Sequence, residues 1–136
     1  MPDLSHWLKT AGRYLISGGT ATALHWGTMA ILISAGLSPN AATALGALAG
    51  ALFNYLLQFH FTFRSTQPHF EAVPRYLLIT LLSWCANNAL FAVIHGFSSL
   101  DVVKAQFSTT ALVTALNFVL YRRFVFNERL NIPTRT

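Results

Sequence analysis

Charge is what this chain of 136 residues has least of: 10% of its residues are charged and 54% are hydrophobic. A soluble domain carries about 25% charged residues, so a small water-soluble globule is excluded. The four acids are Asp3, Glu71, Asp101 and Glu128, and none falls inside a long apolar run. A paired-carboxylate catalytic centre and an acid-driven proton relay therefore lack parts. The one cysteine, Cys85, lies in an apolar run without a partner, which excludes a disulfide framework. There is no nucleotide-binding loop and no cluster of metal ligands, so no enzyme activity, metal or cofactor is expected. The formal charge of +5 does not form a basic stripe interleaved with aromatics, and nucleic acid is not expected as a partner.

What the chain has instead is long uncharged runs. No Asp, Glu, Lys or Arg stands between Arg13 and Arg64, between Arg75 and Asp101, or between Lys104 and Arg122. A membrane-spanning helix needs about 20 mostly apolar residues. The first run holds two spans and the others hold one each, roughly 14–33, 41–61, 76–95 and 104–121. The first run exceeds the roughly 7–15 apolar residues of a signal peptide, and further spans follow, so it is expected to be retained. Residues 1–12 carry a short amphipathic pattern or a frayed end. Gly36 and Pro39 mark one short turn and 96–101 a second, while 64–74 is expected to be a polar connector containing Pro68 and Pro74. Lys9, Arg13, Arg64, Arg75, Arg122, Arg123, Arg129 and Arg135 fall on one side, and only Lys104 on the other. By the positive-inside rule both termini are cytoplasmic. The expected fold is an all-α integral membrane protein with four transmembrane helices, forming one domain over 1–136.

An internal repeat runs through it. Arg13-Tyr-Leu-Ile returns as Arg75-Tyr-Leu-Leu at an offset of 62, and Asn54…Phe61-Thr-Phe63 returns as Asn117…Phe124-Val-Phe126 at 63. The units, about 13–64 and 75–127, each contain two spans and so enter from the same side. The repeats are parallel. Transporters place substrate sites where repeats meet, although duplication can also serve stability alone.

Polar groups recur inside the spans. Gly18, Thr22, His25 and Met29 share a helical face. In the second span, Ala42, Gly46, Gly50, Asn54 and Gln58 stand four apart, a small-residue stripe followed by an amide stripe. The third span contributes Ser83, Asn87 and Asn88, and the fourth Thr110, Thr114, Asn117 and Tyr121. At about 1.5 Å per residue, His25 lies on the order of 18 Å from Arg13, near the bilayer midplane. These groups act either as interhelical hydrogen-bond glue or as one polar pocket open to the cytoplasm. Arg122 and Arg123 are inner-face anchors and, with His60 and Arg64 at the same level, a candidate phosphate site.

The motifs Arg13-Tyr-Leu with Gly18-Gly19-Thr20, Asn54-Tyr-Leu-Leu…Phe61-Thr-Phe63, Arg75-Tyr-Leu-Leu and Asn117-Phe…Arg122-Arg123-Phe-Val-Phe126 occur in the order and spacing of a known family. Over about residues 11–127 the chain resembles the GtrA-like family of small four-span bacterial membrane proteins. The resemblance implies flipping of a polyprenyl-phosphate-linked monosaccharide across the bacterial inner membrane for cell-surface polysaccharide synthesis or modification, such as O-antigen glucosylation. The alternative is a non-transporting scaffold or partner subunit of a membrane glycosyltransferase. A small-cation exporter is disfavoured by the lack of an embedded acid. In the flippase reading Arg122, Arg123, His60 and Arg64 hold the phosphate. His25, Asn54, Gln58, Asn87, Asn88, Asn117 and Tyr121 offer hydrogen bonds to the sugar, and the prenyl tail stays among membrane lipid. The family usually has a basic residue after its first Asn-aromatic-Leu-Leu element; here Phe59 stands in the place matched by Arg122. The Gly46–Gly50 stripe fits either a homodimer or close packing inside the monomer.

Overall fold

The computed structural model describes residues 4–126. The chain forms two compact units, Met1–Ser65 and Thr66–Thr136, and among the described residues every regular element is helical.

Unit 1 begins with α1 (Leu4–Ser34), turns at Gly36, and continues as α2 (Pro39–Leu57). Gly36 takes a φ of 95°, a left-handed value that glycine adopts without a side-chain penalty. Ser38 caps α2 by accepting a hydrogen bond from the Ala41 amide at 3.4 Å, and Pro39 opens the helix, where its missing N–H costs nothing. The last five residues, Gln58–Thr62, leave α geometry for a π turn. The Phe63 amide closes it on the Gln58 carbonyl at 2.9 Å. Arg64 then takes a φ of 50°, and the Ser65 amide turns back to the Phe59 carbonyl at 2.8 Å.

Unit 2 has the same order of elements: α3 (His69–Phe97), α4 (Val102–Leu120) and a second π turn, Tyr121–Val125. Asp101 caps α4 from the Lys104 amide at 2.9 Å, and the Phe126 amide closes the π turn on the Tyr121 carbonyl at 2.9 Å. The Lys104 amide, and then the Lys104 side chain, hold the exposed Asp101 carboxyl below the usual carboxylate range.

The buried faces follow one register. α1 buries Thr10, Tyr14, Ser17 and Ala21, and α3 buries Ala72, Tyr76, Ile79 and Ser83, each 62 positions later. α2 buries Ala42, Gly46, Gly50 and Tyr55, and α4 buries Ala105, Thr109, Val113 and Phe118, each 63 later. The capping residues Ser38 and Asp101 and the two π turns also stand 63 apart.

Packing differs between the units where small residues differ. A Cβ on Gly46 would stand 2.7 Å from the His25 carbonyl oxygen and 2.8 Å from its ring, so α1 lies directly on the α2 backbone. The Gly46–Gly50 stripe is thus taken up inside unit 1. Thr109 and Val113 occupy the matching places in α4, and α3 and α4 touch over less of their length. Between them, Ala86, Leu90, Val93, Leu112 and Leu116 line a wholly apolar groove of about 490 Å³.

Three helical stretches are long and apolar enough to cross a membrane: Pro39–Thr62, His69–Phe97 and Val102–Val125. α1, expected as a span over 14–33, is long enough at 31 residues, but Gly18, Gly19, Thr20, Thr22, His25 and Thr28 dilute its apolar stretch, and it falls outside that set. Leu48, Leu52, Leu77, Leu78 and Leu81 stand exposed on the outer faces of α2 and α3, a surface suited to hydrocarbon rather than water. The structure corrects two boundaries. The start of the chain is helical from Leu4 and continuous with the first expected span. The expected connector over 64–74 ends earlier, because α3 begins at His69, with Pro68 as its cap residue and Pro74 inside it. Pro74 is past the first turn, so α3 forgoes the amide bond that position 74 would otherwise make to the Phe70 carbonyl and still continues.

Candidate functional site

The polar side chains expected to form a pocket are distributed between the units, and each unit arranges its share differently. In unit 1, Ser17 of α1 and Thr62 of the π turn share a buried hydrogen bond of 2.8 Å. One turn further in, Gln58 Nε2 donates to Asn54 Oδ1 at 3.1 Å. Gln58 is 1% exposed, and its Oε1 is buried without a partner. The imidazole of His25 lies against Gly46, and its Nε2 is likewise buried and unpartnered. Near the end of this unit the Arg13 guanidinium stands 5.6 Å over the Phe61 ring, and Tyr14 meets Phe63 at 6.4 Å between centroids. Arg13 is therefore held across the π turn. His60 and Arg64 are exposed.

In unit 2 the corresponding interior is closed by hydroxyls. Ser83 Oγ shares its one proton between the Ile79 carbonyl at 2.6 Å and Asn117 Oδ1, which stands at short hydrogen-bond distance. Thr80 Oγ1 lies 2.9 Å from Tyr121 Oη, and the Tyr121 ring stacks on Tyr76 at 5.3 Å. Arg122, half-buried, and Arg123, exposed, belong to the second π turn. Arg75 reaches Gln67 at 3.5 Å and Glu71 at 3.7 Å.

Two of the expected amides stand apart from this arrangement. Asn88 is exposed and donates to the Trp84 carbonyl of its own helix at 2.7 Å, a back-bond of four residues within α3. Asn87 is half-buried. Asn54 and Gln58 lie at the C-terminal end of α2, and Asn117 and Tyr121 at the C-terminal end of α4, each pair in its own unit. Sequence reasoning passed over the Ser17–Thr62 bond and the role of Thr80. Their signal was available in the spacing: Thr62 and Tyr121 sit in the repeated turn, with Ser17 and Thr80 on the matching helix faces. Asp3, Glu128, Arg129 and Arg135 lie outside the described residues. Among the described residues no three of His, Cys, Asp or Glu come together as a metal site.

A chain of apolar helices with hydroxyl and amide groups inside and cations at the helix ends is a multi-pass membrane protein. Residues 13–126 match the GtrA/DPMS transmembrane domain family. The protein belongs to that family, and the family ties it to the handling of lipid-linked sugars. No curated protein and no solved structure gives a match.

Proposed function

We propose that this protein flips a polyprenyl-phosphate-linked monosaccharide across the bacterial inner membrane, as a four-span, non-catalytic carrier with both termini in the cytoplasm. α1 is the fourth span in this reading: its 31 residues extend about 46 Å at 1.5 Å per residue, beyond the roughly 30 Å hydrocarbon core. The shared register of burial, capping and π turns supports two parallel copies of one helical pair. The carrying observation is that each unit sets a half-buried asparagine four residues before a buried polar side chain, beside a helix end that carries arginine. Asn54 and Gln58 precede His60 and, beyond the π turn, Arg64; Asn117 and Tyr121 precede Arg122 and Arg123. The cations bind the lipid phosphate, the interior takes the sugar as it crosses, and the prenyl tail remains in the bilayer.

Transport is tested with purified protein in liposomes carrying a short-chain polyprenyl-phosphate glucose, following its accessibility on the two leaflets against protein-free liposomes. Protein-dependent equilibration, slowed by Arg122→Ala, is the expected outcome. Folded protein that accelerates none of several sugar lipids refutes transport and leaves the role of scaffold for a membrane glycosyltransferase. A homodimer that encloses the sugar would use a face other than the Gly46–Gly50 stripe, which α1 covers.

A further inference from the structure

The two units treat one arginine differently. Arg13 of α1 and Arg75 of α3 stand 62 positions apart, in the register that also relates Tyr14 to Tyr76. Arg75 sits among acceptors: Glu71 at 3.7 Å, one turn before it on α3, and Gln67 at 3.5 Å. Moved back by 62, these partners become Lys9 and Ser5. Unit 1 therefore places a cation where unit 2 places a carboxylate, and it has no Asp or Glu among its described residues. Lys9 and Arg13, four apart, share a face of α1, and two like charges at that spacing repel. Lys9 is exposed and Arg13 half-buried. Among the described residues, the partner of the Arg13 guanidinium is the Phe61 ring at 5.6 Å, which offers a π face and no lone pair. Arg13 is also fixed in place. Its neighbour Tyr14 meets Phe63, and Ser17, one turn on, is bonded to Thr62, so this end of α1 is pinned to the π turn and the residue that closes it.

A guanidinium carries five N–H donors in a fixed fork that matches the oxygens of a phosphate. The Glu71–Arg75 pair is partly exposed and adds little stability, but its carboxylate repels an anion that approaches Arg75. Arg13 has no such neighbour in its own unit. An anion between Lys9 and Arg13 would turn their repulsion into attraction and supply the acceptors that the Phe61 ring does not. With this end of α1 at the inner leaflet, the anion within reach is a lipid phosphate. We propose that Arg13, with Lys9 beside it, binds the phosphate of the lipid-linked sugar at the end of unit 1, and that Arg75, already paired, takes no part. The Phe61 ring holds the guanidinium in place and leaves its donors to the phosphate oxygens. The assignment rests on the lipid-linked sugar reading given above, and adds a ligand on α1 to the cations at the two π turns.

The test uses the full chain in phosphatidylcholine nanodiscs and two labelled probes, a short-chain polyprenyl-phosphate glucose and a polyprenol of the same length without phosphate. The wild type binds the phosphate-bearing probe in preference to the polyprenol. Arg13→Gln weakens binding of the phosphate-bearing probe about tenfold, the value of one hydrogen bond to a charged group. Arg75→Gln removes the same charge from the corresponding place and changes binding by less than about twofold. Lys9→Glu keeps Arg13 but gives it the kind of partner that Arg75 has, so it weakens binding by a factor similar to Arg13→Gln. Being an exposed change, it keeps the test available if Arg13→Gln does not fold. Unlabelled phosphatidylglycerol, added at the same mole fraction as the probe, displaces little of it. Binding within about twofold of the wild type in folded Arg13→Gln or Lys9→Glu overturns the assignment, as does a loss in Arg75→Gln equal to that in Arg13→Gln. Phosphatidylglycerol that competes as well as the probe itself also overturns it, since the site then takes any anionic lipid. In each of these cases phosphate-dependent binding by the wild type leaves the transport reading standing. A wild type that binds the phosphate-bearing probe no better than the polyprenol overturns both.

Discussion

Replacing Gly46 with alanine is expected to force α1 off α2. The added Cβ would lie 2.7 Å from the His25 carbonyl oxygen and 2.8 Å from its ring carbon, with Met29 at 3.4 Å. Ordinary contacts of a Cβ begin at 3.4 Å, so about 0.7 Å must be recovered. The nearer atom is backbone and cannot rotate away, so the helix itself must shift. Overpacking of this kind costs about 1–3 kcal/mol, against about 1 kcal/mol gained by replacing glycine with alanine in a helix. Gly19 provides the reference, since a Cβ there meets nothing within 4 Å. The propensity gain is common to both variants, so Gly46→Ala should be less stable than Gly19→Ala by about 1–3 kcal/mol. Gly50→Ala, with contacts of 3.0 and 3.1 Å, should fall between them. Adding His25→Ala to Gly46→Ala removes the ring but leaves the carbonyl, so only part of the loss should return. Reversible unfolding in mixed micelles measures all four variants. A Gly46→Ala protein as stable as Gly19→Ala would refute the close approach of the two helices.

Three further outcomes are expected. Ser17→Ala strands the Thr62 hydroxyl and should cost about 0.6–1 kcal/mol, whereas Ser17→Ala with Thr62→Val should cost less than the two single changes together; a double-mutant cycle in the same unfolding assay reads the coupling. Arg64→Gly relieves the left-handed backbone at φ 50° and should stabilise the fold by about 1 kcal/mol while weakening phosphate-lipid binding; a destabilised variant would contradict that backbone conformation. Asp101 caps α4 as a carboxylate with a lowered pKa, so its stabilisation is complete above the ordinary carboxylate value of about 3.9 and is lost as pH falls through the lower folded value. The Lys104 amide resonance should shift over that acidic window, and Asp101→Asn, which still caps without ionising, should not show the titration.

Much of the interior was legible because helix spacing is a strong signal. Ala42, Gly46 and Gly50, four apart, do lie on the buried face of α2, and the amides that continue the stripe stay inside. Other features carry no such signal. A π turn differs from an α turn by one backbone bond, and no residue type in Gln58–Thr62 demands it. Pro74 reads as a breaker in sequence, yet lies within α3, which gives up one amide bond there without ending. Asn88 has the composition of a pocket residue and spends its amide on Trp84 of its own helix, a choice set by rotamer rather than by position.

The two π turns have a consequence for the rotational phase of the chain. An α-helix advances 100° per residue, so a surplus residue in one turn displaces everything beyond it around the axis by about that angle. Asn54 lies before the widening, Gln58 opens it, and Phe63 lies after it. A helical wheel drawn straight through 54–63 therefore misplaces the closing aromatics by more than a quarter of a revolution. Removing one residue from Gln58–Thr62 would restore the α phase and carry Thr62 away from Ser17, even though composition and length would hardly change. A gap of one is thus tolerable between the two long helices of a unit, where the offset between the copies changes from 62 to 63, and intolerable here, where a single position sets which side of the helix the closing residues present.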